Sequence, residues 1–243
     1  MASPKETYRK HFIPLESNPD VFTELVHKLG VSPTLAFHDV YSLDDADLLA
    51  IVPRPVYALV LVFPTTDSYK KRVAAADDGS SHGSPVVFFE QTINNACGLY
   101  ALLHAICNGK ARTFIKTESW AARLLKQCEP LDIDQRSRAL EDSEELESTY
   151  ASVARKGDTR APDNPEDDVD FHYNAFVKSH QNGHLFLLDG ARKKPVDLGA
   201  YPADEDVLAE NCLKVIRRMV AEASDDPRSV NFSLMALAPA LDG

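Results

Sequence analysis

The chain has 243 residues, 44% of them apolar, and its 37 acidic against 26 basic residues leave a formal net charge of -11. That balance argues against a nucleic-acid partner, because binding phosphates needs a basic face, and no run of about 18 apolar residues is available to span a membrane. The opening MASPKETYRKHF lacks the apolar stretch of a secretory signal, and four scattered cysteines without a CxxC pair oppose a disulfide framework or zinc ribbon.

Asn18-Pro19 reads as a helix start, Asn as cap and Pro at the first helical position, followed by Val21, Leu25, Val26 and Leu29 at helical spacing and Gly30 as the stop. Leu35 to Tyr41 reads as a short strand, and Ser42 to Asp45 as a cap before a brief helix. Tyr57 to Phe63 is nearly all apolar, as a central strand covered on both faces should be. Ala74 to Pro85 is small, polar and Gly-rich, and most of it reads as a mobile surface loop. Val86 to Phe89 is expected to be a strand running into EQTINNACGLYALLHAICNG. There a helix begins near Asn95, with Leu99, Leu102, Leu103 and Ile106 on one face and Asn108-Gly109 as its end.

Thr117 is expected to cap another helix, with Trp120, Leu124 and Leu125 inward, and Ser143 to Arg155 is a charged helix. Gly157 to Asp170 carries two prolines, many acids and almost nothing apolar, the composition of a disordered connector. Phe171 to Val177 and His184 to Asp189 are strands of a hairpin signalled by Asn182-Gly183. A helix over Val207 to Val220 and a strand over Asn231 to Leu237 complete the pattern. One apolar inventory runs through all of these, so residues 1–243 read as a single domain of the α+β class, helices around a mostly antiparallel sheet.

A cysteine is more often a small apolar filler than a nucleophile. Cys97, however, is placed where a polar loop turns into an apolar helix, and a helix N-terminus and a nearby imidazolium both stabilise a thiolate. The hairpin offers the imidazole. If Lys178 faces Gly183 across the loop, then His172 faces Asp189, and opposed Cβ atoms are about 4.5–5.5 Å apart. A two-residue Asn-Gly turn would instead set Asp189 opposite Phe176. The aspartate would orient the ring and stabilise its cation. Gln91, six residues before Cys97, could donate to an oxyanion beside it, together with the Cys97 backbone N–H. A zinc site from His172, His180 and His184 is a rival without a strong ligand pattern, so no metal or other cofactor is expected.

The block Gln91-Thr92-Ile93-Asn94-Asn95-Ala96-Cys97-Gly98 resembles the nucleophile motif of the ubiquitin C-terminal hydrolases. Val169 to Tyr173 resembles their histidine motif and Gly183 to Gly190 their aspartate motif. Pro14 to Pro19, Phe37 to Tyr41 and Val52 to Val56 are similar to the amino-terminal half of the short members, and the likeness runs from about His11 to about Leu237. Asn94 stands where Gly or Ser is common, Leu99-Tyr100 replaces a more polar pair, and Phe232-Ser233 replaces Phe-Asn.

The resemblance implies a papain-like cysteine hydrolase with a knotted backbone, in which Gly157 to Asp170 crosses over the site. It implies hydrolysis of small adducts from the terminal glycine of ubiquitin by Cys97, His172, Asp189 and Gln91, with Glu16, Asp20 and Asp39 holding the arginines of ubiquitin's tail. Ubiquitin is the implied partner, a ubiquitin-like modifier a second, and a cytoplasmic monomer is expected, with the nucleus as a further setting. Two alternatives share these residues: a protein that binds and stabilises free ubiquitin with little turnover, and a thiol acyl transferase.

Overall fold

The computed structural model describes residues 8–75, 84–159, 162, 164–167, 169–223 and 231–241. Its first elements are β1 (Lys10–His11), α1 (Pro19–Leu29), β2 (Leu35–Asp39), α2 (Ala46–Ala50), β3 (Ala58–Pro64), α3 (Asp67–Ala75), β4 (Ile93–Asn94) and α4 (Cys97–Cys107). A single 3-10 turn, Ala111–Phe114, leads to α5 (Trp120–Cys128), α6 (Ile133–Glu141) and α7 (Glu144–Ala151). Then come β5 (Phe171–Lys178), β6 (His184–Leu188), β7 (Val196–Ala200), α8 (Glu210–Ala223) and β8 (Ser233–Pro239).

Six strands form one antiparallel sheet in the order β2-β8-β3-β5-β6-β7, and β1 pairs in parallel with β4 just ahead of Cys97. The alternation in β3 explains why its sequence is apolar throughout. Ala58, Val60 and Val62 face a core shared with α1, α4, α5 and α7, while Leu59, Leu61 and Phe63 face one built with α8. Cys212, Leu213, Ile216 and Val220 supply the apolar stripe of α8. All eleven residues of α4 are buried, and this helix lies between α1 and the central strands.

The start of α1 follows its sequence signals: the Asn18 side chain accepts from the Asp20 and Val21 amides, and Pro19 opens the helix. The Thr117 expectation is corrected, since the Ser119 hydroxyl accepts from the Ala122 amide and caps α5. The stretch Val86 to Phe89 joins no strand ladder. Its backbone is bonded instead by side chains of α4 and its C-cap: Asn108 accepts from the Val87 amide and donates to the Val87 carbonyl, and His104 accepts from the Phe89 amide. The charged helix ends at Ala151, short of Arg155. Ala74 and Ala75 lie in α3, and residues 76–83 of the expected loop fall outside the described residues.

The hairpin register is also corrected. Lys178 pairs with Leu185 rather than Gly183, and Ala175 pairs with Leu188. Gly183 has φ 72°, a left-handed conformation that belongs in a turn and not in a strand. The turn closes on Ser179, whose amide donates to the His184 carbonyl at 2.8 Å and whose carbonyl accepts from Gly183 at 3.1 Å. The shift moves the strand by two residues, so Asp189 stays on the same sheet face as His172 and becomes its diagonal neighbour.

Candidate active site

Cys97 is the first residue of α4, and Ala96 before it offers no side chain to cap the helix. The positive end of the helix dipole is therefore available to a negative group at the sulfur. β5 delivers His172 and the residue just past β6 delivers Asp189, with His172 Nε2 2.7 Å from Asp189 Oδ1. That bond commits Nε2 and leaves Nδ1 for the thiol. Burial pushes the His172 pKa down, but Asp189 and then Cys97 more than offset this and hold it up at about 10. Asp189 thereby favours the imidazolium over the neutral ring.

Asp189 is 1% exposed, and burial alone would raise its pKa; His172, the Ala191 amide and the Tyr69 hydroxyl hold it below the usual carboxylate range. The Tyr69 hydroxyl donates to the carboxylate, at 2.9 Å from Oδ2 and 3.1 Å from Oδ1, and Arg192 Nε stands 3.4 Å from Oδ2. The rings of Tyr69 and Phe63 flank the His172 ring at 5.3 and 6.2 Å between centroids, which fixes its plane. Sequence reasoning missed Tyr69 because it missed α3, whose polar run lacks an apolar stripe. The usable signal was Thr66, whose hydroxyl accepts from the Tyr69 amide as a cap.

Gln91 lies on the same cavity wall as Cys97 and His172. Its Nε2 donates to the Ile93 carbonyl at 3.0 Å, which fixes the amide and leaves its second hydrogen unspent. The Gln91 amide N–H also donates to the Gly190 carbonyl at 2.8 Å, tying this donor to the turn that carries Asp189.

The other three cysteines are buried and line neither of the cavities at Cys97. Burial pushes the thiols of Cys107 and Cys212 up and that of Cys128 to about 11, so they are inert as nucleophiles. Cys97 instead opens onto two cavities, of about 330 and 660 Å³. Gly157, Thr159, Pro162 and Val169 wall the smaller one, and Glu166, Val169 and Asp170 wall the larger, so described residues between 157 and 170 line both. The three histidines of the zinc rival go to separate partners: His172 to Asp189, His180 to Arg112, and His184 to Asp197.

Glu16, Asp20 and Asp39 come together around a third cavity of about 570 Å³, and Glu16 also lines the smaller cavity that reaches Cys97. Burial, with the Asp20 charge beside it, raises the Asp39 pKa. The Glu16 carboxylate accepts from the Thr159 amide at 3.3 and 3.4 Å. Only glycine permits this approach at 157, where a Cβ would lie 1.8 Å from Glu16 Oε2. Exposed Tyr41, Ile51 and Leu241 rim the same acidic cavity, an apolar edge that the sequence alone did not reveal.

The family model described as "Ubiquitin carboxyl-terminal hydrolase, family 1" matches residues 12–221. A ubiquitin carboxyl-terminal hydrolase of Drosophila melanogaster is 34% identical over 236 residues, covering 93% of this chain and 97% of that protein. One from Aplysia californica is 35% identical over 212 residues, covering 87% and 96%. The fold is similar to the Trichinella spiralis UCH37 catalytic domain, solved bound to ubiquitin vinyl methyl ester, with a TM-score of 0.73 at 22% identity over 98% of this chain and 100% of that one.

Proposed function

Because the chain belongs to family 1 of the ubiquitin carboxyl-terminal hydrolases, cysteine-type enzymes, we propose that it cleaves small adducts and short peptides from the terminal glycine of ubiquitin with Cys97, His172, Asp189 and Gln91. The observation that carries this reading is the buried His172–Asp189 pair set against the one cysteine that opens onto both cavities. The ubiquitin tail enters by the smaller cavity, and the leaving group departs through the larger.

In this mechanism the Cys97 sulfur, its proton held by His172, attacks the carbonyl carbon of the glycine. The second hydrogen of Gln91 and the Cys97 amide stabilise the oxyanion. The imidazolium protonates the leaving amine as the carbon–nitrogen bond breaks. His172, now neutral, then deprotonates a water that attacks the thioester, and the released thiolate regains its imidazolium partner. Asp189 keeps Nε2 protonated throughout, so that Nδ1 carries the traffic.

A ubiquitin C-terminal amide with a small fluorogenic leaving group tests the reaction. Release of the fluorophore, with ubiquitin recovered ending in its terminal glycine, supports it; tight binding without release supports the passive ubiquitin-binding alternative. Gln91→Ala is expected to lower kcat roughly 100- to 1,000-fold with KM little changed, because the donor acts on charge that exists only in the transition state. An equal rise in KM instead would make Gln91 a ground-state contact.

The acidic cavity supports a substrate reading. In this reading Glu16, Asp20 and Asp39 take the arginines of ubiquitin's tail, and Tyr41, Ile51 and Leu241 on the same cavity make apolar contact beside them. A ubiquitin-like modifier with the same tail chemistry would be a second substrate. Since the Asp39 pKa is raised, its anion is lost sooner as pH falls than for an ordinary aspartate of about 3.9. KM for the ubiquitin amide should therefore climb early on acidification. Asp39→Asn should raise KM roughly threefold to tenfold at neutral pH and flatten that climb.

A further inference from the structure

Asn95 lies two residues before Cys97, on the turn between β4 and α4, with φ 57° and 6% exposure. Its side-chain NH2 group is engaged by the backbone of Pro165 and Asp167. Nδ2 donates to the Pro165 carbonyl at 3.0 Å and to the Asp167 carbonyl at 2.7 Å, which uses both hydrogens of one group. Residues 164–167 form a compact turn of their own, with the Asp167 amide bonded to the Asn164 carbonyl and the Glu166 amide to the Asn164 side chain. Pulling on either acceptor carbonyl therefore moves the whole turn. Asn94 Nδ2 also reaches the Pro165 carbonyl, at a longer 3.5 Å, and at the far end of the segment the Thr65 amide donates to the Asp170 carbonyl at 2.7 Å.

The position matters because of what lies below. The larger cavity, through which the leaving group departs, is bounded by Glu166 and Asp170 on this segment and by Asn95 itself. An adduct that fits this space can leave with the turn in place. A folded one must lift residues 164–167, and both Asn95 bonds then break together.

We propose that Asn95 is the specificity-determining latch of the enzyme: its amide pins the 164–167 turn to the nucleophile loop and so sets the largest adduct that can be cleaved. This rests on the hydrolase reading above. The left-handed backbone at Asn95 suits asparagine, aspartate and glycine, so it dictates the variants that test the idea. Asn95→Gly removes the donor without backbone strain. Asn95→Asp keeps the shape but turns a carboxylate on two carbonyls.

The test compares kcat/KM for a ubiquitin C-terminal fluorogenic amide with kcat/KM for diubiquitin, whose leaving group is a folded domain. In both variants the diubiquitin-to-amide ratio should rise roughly tenfold or more, the scale of two lost hydrogen bonds. Amide hydrogen exchange at residues 164–167 should quicken in parallel, a readout that needs no substrate. An unchanged ratio with unchanged exchange overturns the latch. So does an equal fall on both substrates, which would make Asn95 a support of the nucleophile loop alone. Failure of the wild type on the small amide would instead sink the hydrolase reading, leaving the exchange result to judge the latch.

Discussion

Cys97→Ala is expected to abolish turnover of ubiquitin C-terminal amides while leaving ubiquitin binding within a few-fold of the wild type. Nothing else in the described site can replace the sulfur. The remaining thiols are buried away from the cavities that meet at Cys97, or, for Cys128, held as a thiol up to about 11 beside a different cavity. The size of the loss should be roughly six orders of magnitude, the scale at which nucleophile and base act as one unit. Binding should survive because the acidic cavity of Glu16, Asp20 and Asp39 does not include Cys97. The substitution removes one sulfur at a site only 5% exposed, so folding is preserved at small cost. Kinetics on the amide, with titration calorimetry against ubiquitin, separate the two effects. Residual turnover above a hundredth of the wild type would mean another nucleophile.

His172→Gln should cost activity on the same scale, since it removes both the proton acceptor and the donor to the leaving amine. It also carries a stability signature. The folded pKa of His172, about 10, is above its unfolded value of about 6.5. The stabilisation from the charged pair is therefore fully present below about pH 6.5 and is lost as pH rises toward 10. Asp189 acts in the opposite sense, its lowered pKa giving stability that is present above about 3.9 and lost on acidification. Urea midpoints of the wild type should accordingly fall between neutral and alkaline pH. The glutamine variant, with no imidazolium to lose, should show a flatter profile. Parallel profiles in the two proteins would mean that the pair is not charged at rest.

Much of this site was legible from local chemistry. The polar loop, the cysteine and the apolar run that follows place a thiol at a helix start, and all three are read from adjacent residues. The His172–Asp189 pairing was legible only up to parity. Two residues of register separate the expected ladder from the observed one, and what decided it was the left-handed Gly183, whose φ no spacing rule gives. Because side chains alternate with period two, the error left both groups on one face and the hydrogen bond intact.

Other features were hidden for physical reasons. Val86 to Phe89 has the apolar make-up of a strand, yet its partners are Asn108 and His104 of a helix, a tertiary choice that propensity does not carry. Tyr69 reaches Asp189 across 120 residues of chain, from a helix with no apolar periodicity. The 157–170 segment reads as a solvated connector on composition. Its contacts with Asn95 and Glu16 are made by its backbone, which composition does not describe.

The central claim is that folding sets one thiol, Cys97, against an imidazole held by a buried carboxylate. A ubiquitin whose C-terminus carries a thiol-reactive vinyl ester, followed by mass mapping of the adduct, tests it most directly. The account predicts one label per chain, on Cys97, lost in His172→Gln at short reaction times. Label on Cys107, Cys128 or Cys212, or labelling of Cys97 at the same rate without His172, would contradict it.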